Sequence, residues 1–195
     1  MGEEPTTDET IGGWHRRDVA KAALGVGGAS TALALTVPAS GMTAVLSREF
    51  TGEVFADGTY LVDENGSRVR ADALETGTRM TVFPESHPGV ADAPTLLVRH
   101  EESAYAEPTN LAFTVAGYAA YSKVCTHAGC MVAETEADGI LVCPCHFAKY
   151  DPTRGAEVTD GPAPRALPQL PITLSSDGFL MATGNFEGQI GPGGE

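Results

Sequence analysis

The chain has 195 residues, 42% of them hydrophobic and 7% aromatic, enough apolar content for one folded domain beside a tail or anchor. Its 26 acidic residues against 12 Lys and Arg give a net charge of −14, which excludes nucleic acid as a partner, since phosphate contacts need basic surface. With 23 Gly and 13 Pro, short strands and turns are expected in place of long helices.

Residues 1–13 are acidic, Thr-rich and without periodicity, so a disordered tail is predicted. At 14–39 the pair Arg16-Arg17 stands before an apolar run, as in a twin-arginine export signal, although Val19-Ala20 is less bulky than that signal prefers. From Ala22 to Ala39 there is no charge, about 18 residues, the lower end for one membrane-spanning helix. Arg16, Arg17 and Lys21 keep the N-terminal side cytoplasmic and put everything after about Ser40 outside. Gly25, Gly27 and Gly28 allow a partner helix to approach closely. Pro38-Ala39-Ser40-Gly41 also offers small residues to a signal peptidase. Residues 40–50 form a short tether.

From 51 to 195 the pattern predicts an all-β domain. Thr59–Val62, Arg68–Arg70, Thr78–Phe83 and Thr95–Arg99 are expected strands. Residues 111–124 are a strand-like run. Met131–Glu134 and Ile140–Val142 are predicted to pair as a hairpin across 136–139, and Pro171–Leu174 with Phe179–Ala182 across 175–178. His87 and His100 lie outside any ligand pattern and are taken as surface histidines. The Gly-rich end is expected to fray.

All four cysteines fall in two boxes, Cys125-Thr126-His127-Ala128-Gly129-Cys130 and Cys143-Pro144-Cys145-His146. Each offers one Cys and one His close together, plus a second Cys. Two thiolates and two imidazoles can bind a structural zinc ion, or a [2Fe–2S] cluster with Cys₂ on one iron and His₂ on the other.

The boxes, the following Tyr150-Asp151, the stretch Gly161-Pro162-Ala163-Pro164 and the tail at 171–184 resemble the Rieske iron–sulfur family, in its membrane-bound branch. The resemblance implies a Rieske-type antiparallel β-sandwich with a small cluster-binding subdomain at about 122–165, and a retained N-terminal anchor. It implies one [2Fe–2S] cluster held by Cys125 and Cys143 on one iron and His127 and His146 on the other. It also implies a disulfide between Cys130 and Cys145, which an exported location permits. His127 and His146 become the candidates for contacting a quinol and accepting its proton. The expected partners are quinol, a cytochrome b-type subunit and a downstream cytochrome or copper protein, with lipid around the anchor. The implied role is the redox subunit of a cytochrome bc-type quinol-oxidising complex. The alternative is the Rieske small subunit of an exported molybdenum oxidoreductase, of the arsenite oxidase or nitrate reductase type. The acidic, lysine-poor composition resembles that of proteins from salt-loving archaea, where concentrated salt screens carboxylate repulsion.

The chain also departs from the family pattern. Phe147-Ala148 stands where many high-potential members carry Gly-Ser, so a hydrogen bond to a cluster sulfur is missing and a lower potential is expected. Ala128 replaces a common leucine. Tyr150 matches the tyrosine that bonds a ligand sulfur, and Pro162 and Pro164 stiffen a covering loop after Gly161.

Overall fold

The computed structural model describes residues 54–86, 94–136 and 138–193. The tail, export signal, anchor and tether expected at 1–50 lie outside these residues, as does His87. Among the described residues no helix is long and apolar enough to cross a membrane.

The described strands in chain order are β1 (Thr59–Val62), β2 (Arg79–Pro84), β3 (Thr95–Arg99), β4 (Tyr118–Ser122), β5 (Glu134–Thr135), β6 (Leu141–Val142), β7 (Lys149–Asp151), β8 (Glu157–Asp160), β9 (Gln169–Leu170), β10 (Ile172–Leu174) and β11 (Leu180–Ala182). The fold is all-β, as expected. A base sheet runs β10-β11-β1-β2-β3-β4-β9, antiparallel throughout and curled nearly closed. In the second sheet, β5-β6-β7-β8, the second box lies between β6 and β7, while the first box lies on the connection from β4 of the base sheet to β5.

β3 and β4 pair from Thr95↔Ser122 to Arg99↔Tyr118 and separate two cores. Side chains alternate across a strand. Leu97, Tyr118 and Ala120 therefore face a base core with Phe55, Leu61, Leu170 and Leu180. Leu96, Val98, Ala119 and Tyr121 face the other way, against Leu141, Tyr150, Cys125 and Cys143. Both faces are covered, which is why these strands read as unbroken apolar runs. The second core joins the base to the box-bearing sheet.

The hairpin predicted between the boxes forms, with Glu134↔Val142 and Thr135↔Leu141. The one around 175–178 forms as β10–β11. Three expectations are corrected. The run from 111 does not start as a strand: Leu111–Phe113 is a 3₁₀ turn, because the Asn110 side chain accepts the Ala112 N–H at 3.2 Å and so offers the backbone a local alternative. The C-terminal stretch is not loose as far as Gly193. Phe186 and Ile190 enter the base core, and the Glu187 N–H donates to the Gln169 carbonyl at 2.8 Å. The expected strand at 68–70 is reduced to the bridges Val62↔Arg68 and Arg70↔Phe179.

Candidate metal centre

Two loops closed in the same way build the site. In the first, the Gly129 N–H donates to the Cys125 carbonyl at 3.0 Å and the Cys125 N–H to the Cys130 carbonyl at 2.8 Å. In the second, the Phe147 N–H donates to the Cys143 carbonyl and the Cys143 N–H to the Ala148 carbonyl, both at 2.9 Å. The fourth residue after the leading cysteine is left-handed in both, Gly129 at φ 75° and Phe147 at φ 57°. Each loop thus turns its leading Cys inward. Cys125 and Cys143 are each 1% exposed and free.

The trailing cysteines meet across the loops. Cys130 and Cys145 form a disulfide, S–S 2.06 Å, 15 residues apart in sequence. In the chain-entropy model a loop of that length contributes roughly 3 kcal/mol. The sulfurs of Cys130, Cys143 and Cys145 lie within 4.8 Å of one another, but two of the three are joined in the disulfide and offer no thiolate. The two imidazoles meet edge to face, centroids 4.6 Å apart at 90°. His146 is exposed and His127 half-buried.

The thiols are embedded in a polar chain. The Tyr150 hydroxyl lies 3.2 Å from Cys125 Sγ and 3.4 Å from Thr126 Oγ1. The Thr126 hydroxyl donates to the Arg165 carbonyl at 2.7 Å, so its single hydrogen is committed. Burial, and Cys125 next to it, push the Tyr150 phenol up, so it stays protonated and can donate to sulfur. Burial likewise raises the Cys143 thiol, opposed by the Cys145 backbone N–H and reinforced by Cys125.

A third loop covers the second. Gly161, at φ 87°, packs so tightly on the 147–148 corner that a Cβ there would stand 2.7 Å from Ala148 Cα. Its position is a glycine for both reasons. Pro162 and Pro164 follow at the surface, and Ala163 packs against the second core.

The first loop is covered by the C-terminal stretch. Arg165 Nη2 donates to the carbonyls of Gly191 at 2.6 Å and Gly193 at 3.0 Å. That holds Gly191 against Val124 and Pro192 against Gly129.

Comparison with known proteins decides the family. The Rieske [2Fe–2S] domain matches residues 78–171. A protein of Haloferax mediterranei, provisionally named a respiratory nitrate reductase Rieske subunit, is 57% identical over all of this chain and 89% of its own length. The chain belongs to the Rieske [2Fe–2S] family. The cytochrome bc1 complex Rieske iron–sulfur subunit of Streptomyces lividans is 39% identical over 71% of this chain and 88% of that protein. The cyanobacterial plasma-membrane Rieske protein of Synechocystis has a crystal structure that covers 53% of this chain and 84% of that chain, at 26% identity and a TM-score of 0.38.

The residues present fit the Rieske cluster. The two buried free thiols neighbour each other, and the two imidazoles meet edge to face. Among the described residues, His127 Nδ1 is the buried side-chain nitrogen or oxygen without a hydrogen-bond partner. An orphan of that kind is costly unless something binds it, and a metal ion does. Of the expected residues, the structure sets His127 against His146, Cys125 beside Cys143 and Tyr150, Cys130 bonded to Cys145, and Gly161 on Ala148, with Pro162 and Pro164 exposed. His100 is not a plain surface histidine: it is half-buried and edge-on to Tyr105, centroids 5.9 Å apart. Sequence reasoning passed over Thr126, Arg165 and Pro192. A signal existed for the first two, a hydroxyl inside the first box and one of only nine arginines directly after the proline loop.

Proposed function

We propose that Cys125 and Cys143 hold one iron and His127 and His146 the other, and that this Rieske protein relays single electrons as a subunit of a respiratory nitrate reductase. When bound, the cluster supplies a one-electron centre whose imidazole ligation places it at about −150 to +300 mV. The chain's own residues do the rest. The buried thiols anchor the centre, Tyr150 donates toward Cys125, and the exposed His146 edge faces the redox partner. His146 also offers a nitrogen to a quinol donor. The N-terminal segment anchors the head on the outer side of the membrane. Ala148 lacks the hydroxyl that would raise the potential, which suits a low-potential quinol such as menaquinol.

The observation that carries the choice of complex is the end-to-end 57% identity with the nitrate reductase Rieske subunit. A second reading, a cytochrome bc-type quinol-oxidising complex passing electrons to a cytochrome or copper protein, is favoured by the bc1 subunit at 39% identity. Electron paramagnetic resonance of dithionite-reduced membranes separates them. Nitrate should bleach the Rieske signal in the first case. In the second, nitrate leaves it unchanged and a quinol-site inhibitor alters its shape. Zinc in place of iron, with no signal, would sink both.

A further inference from the structure

Phe147 occupies a position where nothing inside the protein asks for an aromatic ring. Its backbone is left-handed, φ 57°, a strained state for a bulky L-residue. Its twin in the first loop is Gly129, which takes that conformation freely. The ring joins neither core and is 66% exposed. Leu111 is the other large hydrophobic exposed among the described residues.

The surroundings point outward too. Pro144 and His146 on the same loop, Ala128 on the first, and Pro162 and Pro164 on the third are all exposed. None is a carboxylate, lysine or arginine, in a chain of net −14. The twin corner at Gly129 lies under Pro192, whereas at the Phe147 corner the third loop packs on the backbone through Gly161 and leaves the ring outside.

We propose that Phe147 is the anchor by which this protein docks its electron-transfer partner, a redox subunit presenting an uncharged, apolar socket beside its own redox centre. One electron passes at the His146 edge to the partner's oxidised centre, and no bond is made or broken. A partner close enough to accept it covers the adjacent Phe147 as well. Desolvating the ring then offsets the strain that the free protein carries. The inference rests on electron transfer through His146, as proposed above, and not on which complex receives the electron.

The test uses the full chain in its own membranes, with Phe147→Asn and Phe147→Leu. Asn tolerates the left-handed backbone and removes the ring. Leu keeps an apolar side chain. In the Asn variant the resonance signature and midpoint potential should match wild type, while reoxidation of the reduced centre by the membrane's own acceptor slows on the order of tenfold, the loss typical of a truncated anchor. The Leu variant should recover most of the rate. Wild-type transfer in the Asn variant overturns the anchor alone. Loss of the cluster signal in both variants overturns it in favour of a structural role. A ring-dependent dimer in sedimentation assigns the ring to a second copy and overturns it also. If wild type itself transfers no electron in these membranes, the relay reading fails and the anchor falls with it.

Discussion

The Tyr150 hydroxyl stands 3.2 Å from Cys125 Sγ, while the neighbouring Thr126 hydroxyl has given its hydrogen to the Arg165 carbonyl. Thr126 thus has no hydrogen left for Tyr150, and once Cys125 is a thiolate, an acceptor only, the shorter of the two contacts makes the Tyr150 O–H its donor. Such a bond strengthens as the sulfur gains electron density, so Tyr150→Phe should lower the midpoint potential. A differential of about 1.4 kcal/mol corresponds to roughly 60 mV for a one-electron couple. Redox titration of the purified protein measures it, and an unchanged potential would show that the bond does not sense the electron.

Ala148 is fully buried at the second ligand loop, its carbonyl taken by the Cys143 N–H. Ala148→Ser adds a hydroxyl donor at the buried corner of the second ligand loop. The potential should rise by an amount on the order of that lost in Tyr150→Phe. A titration with no rise would mean that the hydroxyl has turned to backbone.

Gly161→Ala sets a Cβ against Ala148 Cα and the Phe147 carbonyl and adds a left-handed penalty. About 1–3 kcal/mol of stability should be lost. Thermal melting reads the loss, and iron per chain should fall alongside it because the second ligand loop is what gives way.

Arg165→Gln releases the carbonyls of Gly191 and Gly193. The first ligand loop then loses the pressure of Pro192 on Gly129. Bleaching of the visible spectrum by an iron chelator should run severalfold faster, with Arg165→Lys in between, since an ammonium lacks the planar fork of a guanidinium.

Burial holds the His100 pKa below 6.5, with Asp151 opposing the shift, and Tyr105 packs against the ring. The unfolded chain takes up this proton first as pH falls. His100 therefore contributes its stability fully above 6.5 and loses it as pH drops from there toward the folded value. Melting curves of wild type and His100→Gln should differ less at about pH 5.5 than at about pH 7.5. An equal difference at both would place the histidine in solvent.

The two boxes were legible because their chemistry is local: Cys125, His127, Cys143 and His146 sit within six-residue stretches with donors at fixed spacing. The hairpin joining them was legible from alternation and its turn at 136–139. What escaped was long-range. Nothing near residue 191 says that its carbonyl meets Arg165, and Gly-rich sequence reads as loose until a distant guanidinium is placed beside it. The 3₁₀ turn at Leu111–Phe113 was hidden by a competing local bond from Asn110. Burial of His100 depends on Tyr105 folding back across it, which no periodicity encodes. β9 is only two residues long, too short for a pattern to register.

The cover of the first ligand loop has a temporal side. Synthesis reaches the cluster ligands long before it reaches Ile190–Gly193. A nascent or prematurely terminated chain can therefore own every donor atom and still leave the corner at Gly129 bare. Iron loaded onto such a chain would be poorly retained. The fold thereby ties retention of the cofactor to a segment that follows every ligand in the chain, with Arg165 as the latch between them.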